Sequence, residues 1–121
     1  MMKIFTFLLT LFLLAAPPGA KAADARFFET LYDVPVMPGM AELPDRSLVF
    51  DKPEGRFAQA GAAGKEVSEE GIRAFYKASL PQLGWAPAGG DSYVREGEKL
   101  TLSVASEGPY KVARFTLSPA R

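Results

Sequence analysis

Ser68-Glu69-Glu70-Gly71-Ile72-Arg73-Ala74-Phe75-Tyr76-Lys77-Ala78-Ser79-Leu80-Pro81-Gln82-Leu83-Gly84 is the stretch on which the fold turns. Ser68 is a natural N-cap, and Glu69 and Glu70 place negative charge beside the positive end of the helix dipole. Val67 and Ile72 stand at the two positions of a hydrophobic staple. Ile72, Phe75, Tyr76, Leu80 and Leu83 recur at helical spacing and form one apolar face, with Glu69, Arg73 and Lys77 opposite. Pro81 should kink or end the helix, and Gly84 should stop it. This is a single amphipathic helix in need of an apolar surface to cover.

Working outward, the period changes from helical to alternating. Lys99 to Ala105 carries Leu100, Leu102 and Val104 on one face, and Tyr110 to Leu117 carries Ala113, Phe115 and Leu117. Ser92 to Arg95 is a shorter strand signal, separated from the next by the turn Glu96-Gly97-Glu98. On the other side, Ser47-Leu48-Val49-Phe50 reads as a strand and Asp51 to Gly55 as a turn with Pro53 at its first corner. Arg56 to Gly61 returns as the partner strand, and Gly61 to Lys65 reads as a loop. The expected fold is α+β: one helix packed on a small antiparallel sheet, in the order β-β-α-β-β-β, over residues 46–121.

Residues 23–45 form a proline-rich arm ahead of this domain. Phe27, Phe28, Leu31 and Tyr32 fall on one side of a helical turn or two, for which Asp24 is a cap. Val34 to Met40 holds two prolines and predicts extended backbone, with a turn at Pro38-Gly39. The arm is apolar enough to pack on the body.

The first 22 residues predict a secretory signal peptide. Lys3 supplies a positive start, Ile4 to Ala16 a run that is apolar but for Thr6 and Thr10, and Ala20-Lys21-Ala22 a small-residue cleavage site. As a helix that run rises about 20 Å, short of the roughly 30 Å of a hydrocarbon core. Cleavage after Ala22, a periplasmic or secreted product, and only transient membrane contact through the leader are expected.

Composition narrows the function. The 121-residue chain balances 14 basic against 14 acidic side chains, so no basic surface is expected for nucleic acid. It contains no Cys and no His. Disulfides are therefore excluded, as are the commonest general base and the commonest metal ligand. No catalytic residue, metal or cofactor is expected. Gly61-Ala62-Ala63-Gly64-Lys65 fails as a phosphate loop, having Gln59 where that motif needs Gly and Glu66 where it needs Ser or Thr. Glu69 with Glu70 and Glu96 with Glu98 are explained by a helix start and an exposed turn. A cation cage from Asp33, Asp45 and Asp51 has no supporting spacing.

The aromatic residues are the better lead. Phe27, Phe28 and Tyr32 either form an exposed docking patch or cover the open face of the sheet. Tyr76 and Trp85 either line a groove at the helix end or belong to the core. An unprotected edge strand is a third route to a partner. The expected activity is protein binding, with an envelope protein as the partner class. The alternative is a small-ligand or lipid site between helix and sheet.

Val34 to Leu117 also resembles small exported bacterial domains of uncharacterised function. The resemblance is carried by Pro35-Val36-Met37-Pro38-Gly39, the β-hairpin, Phe75-Tyr76, Leu80-Pro81-Gln82-Leu83-Gly84-Trp85 and the closing strands. It implies a helix-on-sheet fold and carries over no catalytic residue.

Overall fold

The computed structural model describes residues 26–120. The leader, its cleavage point and Asp24 lie outside them. Among the described residues, nine strands and one α-helix follow in chain order. β1 (Arg26–Phe27), β2 (Pro35–Val36), β3 (Ala41–Glu42), β4 (Leu48–Lys52) and β5 (Gly55–Gly64) precede α1 (Glu69–Ser79). β6 (Ala86–Pro87), β7 (Ser92–Arg95), β8 (Glu98–Glu107) and β9 (Tyr110–Pro119) follow it. The main sheet is antiparallel, in the order β3-β5-β9-β8-β7-β6, and β4 pairs with β5 beyond the end of β3. The α+β class and the expected order of the longer strands are those observed.

The alternation read in the sequence sets which face is buried. Ala60 lies opposite Phe115, and Phe115 lies opposite Leu102, so Ala58, Ala60, Ala62, Ala113, Phe115, Leu117, Leu100 and Leu102 share one covered face. Ile72, Tyr76 and Leu80 of α1 bury themselves completely in the same core. Each such burial stabilises the fold by about 1.5–3 kcal/mol. Ser68 caps α1 as expected, its Oγ accepting the Gly71 N–H at 2.9 Å. Pro81–Leu83 continues as one turn of 3-10 helix and ends at Gly84, whose φ of 96° is a left-handed conformation suited to glycine. Leu83, expected on the buried helix face, points outward from that turn, and Phe75 is only partly buried.

Asp51 and Lys52, read as turn, belong to β4, and two further segments differ from the sequence reading. Residues 27–32 are not helical. Arg26 and Phe27 pair with Val36 and Pro35, and a turn between them is closed by Val34 N–H to Leu31 O at 2.8 Å. A helix here would be too short to offset its nucleation, and Pro35 disfavours its continuation. The three-residue spacing still brings Phe28 and Leu31 to the core side.

Gly61 to Gly64 is strand rather than loop, because β5 pairs there with β3 on one side and β9 on the other. A row of small residues has little β propensity of its own, and its neighbours override this. A Cβ on Gly64 would stand 2.6 Å from the Gly39 carbonyl oxygen, so the glycine is what lets the arm lie this close.

Tyr76 ties the arm to the helix. Its hydroxyl donates to the Pro35 carbonyl at 2.7 Å and accepts the Met37 N–H at 3.1 Å, while its ring meets Phe115 edge-on at 4.8 Å. Burial pushes its phenol pKa up. Arg95 makes the second tie: it pairs with Asp33, donates to the Leu83 carbonyl at 2.9 Å, and stands 4.3 Å over the Trp85 ring.

Candidate interaction surface

β4 is a strand because Leu48, Val49 and Phe50 favour extended backbone and Pro53-Glu54 turns the chain back into β5. It pairs with β5 alone, from Leu48 opposite Gln59 to Lys52 opposite Gly55. No other backbone hydrogen bond engages residues 48–52 among the described residues. All five of its residues are exposed, including Leu48 at 48%, Val49 at 44% and Phe50 at 44%. Sheet edges in soluble proteins are usually short, charged or interrupted by proline. β6, at the opposite edge, meets that description with two residues, one of them Pro87. β4 is longer, and ahead of its charged Asp51 and Lys52 it carries three consecutive large apolar side chains.

Its two faces differ. Leu48, Phe50 and Lys52 project toward the face of the sheet away from α1, and Val49 and Asp51 toward the other. Phe50 stacks on Phe57 with ring centroids 6.0 Å apart. The Lys52 ammonium lies 5.5 Å from one ring centroid and 5.2 Å from the other. Beside them Leu48, Phe50, Phe57, Gln59 and Thr116 line a shallow groove of about 100 Å³. On the opposite face Arg56 reaches Glu98 at 3.3 Å and fastens the hairpin to β8.

The aromatic candidates divide by burial. Phe28, Tyr76 and Trp85 are 1%, 0% and 1% exposed, so each belongs to the core and presents nothing to a partner. Phe28 meets Phe115 edge-on at 5.6 Å, Tyr76 fills the seam between α1 and the sheet, and Trp85 lies under Arg95. Phe27 at 45% and Tyr32 at 70% are exposed. They flank buried neighbours in the arm, whose Thr30 hydroxyl donates to the Gln59 carbonyl at 3.4 Å. The sequence reading placed a strand at Leu48 to Phe50 without recognising it as a surface. The available signal was three consecutive apolar residues beside a tight turn; that the return strand takes β9 as its other neighbour appears only in the fold.

Two further hollows are polar or guarded by ion pairs. Ala41, Leu43, Ala63, Tyr110 and Val112 line one of about 300 Å³ on the same open face, with Arg46 and Glu107 at its rim. Arg46 donates two hydrogen bonds to Glu107, the shorter 3.0 Å, which lowers the Glu107 pKa and raises that of Arg46. The other, at the helix margin, is lined by Glu70, Arg73, Lys77, Asp91 and Tyr93, and there Arg73 pairs with both Glu69 and Asp91. Among the described residues no group of three or more His, Cys, Asp or Glu side chains is placed to hold a metal ion. No family model, curated protein or solved structure matches this chain.

Proposed function

We propose that the protein is a non-enzymatic accessory module, exported to the periplasm, that binds a protein partner of the cell envelope. The observation that carries this reading is the apolar edge strand β4, whose outer side has no strand partner among the described residues and whose Leu48, Val49 and Phe50 are all close to half exposed. A small domain that leaves three large apolar side chains on a free edge incurs an aggregation hazard, and a partner gives that exposure a purpose. The carboxylates Asp33, Glu69 and Glu98 are engaged in ion pairs with arginines, which suits structural roles better than proton transfer. Export rests on the sequence of residues 1–22 and on the likeness to small exported bacterial domains.

The experiment is photo-cross-linking in living cells, with the reactive residue at Val49 in one strain and at exposed Gln82 in another. A discrete cross-linked envelope protein from position 49, absent from position 82, supports the reading. Equal labelling from both positions, or none from either, overturns it. Intact mass of the protein in a periplasmic extract should begin at Ala23, and a chain retaining Met1 in the membrane fraction would sink the export half of the proposal.

A further inference from the structure

We infer that β4 receives an extended peptide segment of its partner as an added strand, with an acidic residue beside Lys52 and a basic one beside Asp51. This rests on the reading of β4 as the contact surface and adds the form and charge order of the occupant. The form follows from the backbone. An edge strand presents a row of peptide groups at a rise of about 3.3 Å per residue, and another extended chain matches that spacing. Among the described residues only the inner side of β4 is used, by β5.

The charge order follows from what the strand leaves unneutralised. Arg46 and Arg56, the other basic side chains nearby in the chain, are paired with Glu107 and Glu98. Lys52 lies over the Phe50 and Phe57 rings and lines a hollow with Glu54, and Asp51 stands across from Arg56, whose guanidinium is turned to Glu98; neither Lys52 nor Asp51 makes an ion pair among the described residues. An added strand therefore meets apolar side chains beside Leu48 and Phe50 on the open face, then the ammonium of Lys52. On the other face it meets Val49, then the carboxylate of Asp51. Opposite charges directly across a strand pair attract, and like charges repel.

A second copy of this chain fits poorly. Antiparallel self-pairing centred on Phe50 sets Lys52 against Leu48 and Asp51 against Val49, leaving both charges beside apolar groups. Shifting the register to join Asp51 to Lys52 brings Pro53 opposite Phe50 and gives up most of the apolar contact. The occupant is a different sequence, free of proline over about five residues, with acid and base adjacent at one end and apolar residues following.

The probe is a displayed library of random twelve-residue peptides selected on the immobilised protein. Enrichment of peptides with an acidic residue at a fixed distance from alternating apolar residues is expected. A synthetic peptide of the enriched sequence should bind Lys52→Glu about 2- to 10-fold more weakly, and exchanging its acid for lysine should restore the loss. Val49→Pro should abolish binding, and circular dichroism with thermal melts of both variants separates lost contact from lost fold. Absence of enrichment, enrichment without a fixed acidic place, or affinity unchanged by Lys52→Glu overturns the inference. So does a concentration-dependent dimer through β4, or binding confined to phosphatidylcholine–phosphatidylglycerol vesicles. If the cross-link from position 49 stands while the library fails, the contact surface survives and only the added strand is lost; failure of both removes the two together.

Discussion

Tyr76 shows how one side chain couples packing to polarity. Its ring is buried among Phe115 and Phe75, and its hydroxyl satisfies two backbone groups of the arm that have no strand partner there. Tyr76→Phe keeps the ring and strands the Met37 N–H and the Pro35 carbonyl, which should cost about 1–3 kcal/mol in urea unfolding. The same burial predicts a pH signature. The folded-state pKa is raised above the ordinary value of 10.0, so the unfolded chain loses this proton first. The contribution is complete below pH 10.0 and declines as the pH rises above it. Wild type should therefore lose stability above pH 10.0 more steeply than Tyr76→Phe. Equal slopes in the two unfolding series would show that the phenol is not shielded.

At the scale of the element, the helix was legible because its cap, its apolar spacing and its stop all agree. Ser68→Ala should cost about 1 kcal/mol, as the Gly71 N–H loses its acceptor, and the loss should appear as a lower urea midpoint with unchanged slope. β8 and β9 were legible from strict alternation. The second half of β5 was not, because Gly61-Ala62-Ala63-Gly64 is held in the sheet by neighbours remote in sequence. Local preference carries no trace of Ala41 pairing with Ala63, or of the Gly39 carbonyl lying against Gly64. Gly64→Ala tests that account. The added methyl meets backbone oxygen at 2.6 Å, with Met40 and Val67 side chains at 3.1 and 3.2 Å, so β3 must shift. A loss of about 1–3 kcal/mol is expected, with faster amide exchange at Leu43, whose N–H donates to the Gly61 carbonyl at 2.8 Å. Retained protection at Leu43 would mean the arm does not depend on that close approach.

Across the whole molecule, the arm and the β4–β5 hairpin differ in how much of their apolar surface the fold covers. Phe27, Phe28 and Tyr32 allowed either a docking patch or a cover for the sheet, and the fold divides them: Phe28 sits in the core with Leu31, Val34, Val36 and Met40, while Phe27 and Tyr32 stay exposed. Leu48, Val49 and Phe50 read as a strand with nothing in the spacing to say whether it is covered, and the helix and arm bury the alanine row of β5 and leave β4 outside that cover. Sequence periodicity tells which residues share a face, but whether a face is covered depends on where the sheet ends, and that is settled by pairing between distant segments. The two sites should separate cleanly on mutation. Phe28→Ala removes a ring packed on Phe115 and should cost about 3–5 kcal/mol, enough to threaten so small a fold. Leu48→Thr combined with Phe50→Thr changes exposed positions in a strand-compatible way and should leave the thermal midpoint within a few degrees. That double variant should nevertheless lose the cross-link from position 49, because it removes the apolar contact while preserving the strand. A variant as stable as wild type that still cross-links as well would place the partner's contact elsewhere, with exposed Phe27 and Tyr32 the next surface to test.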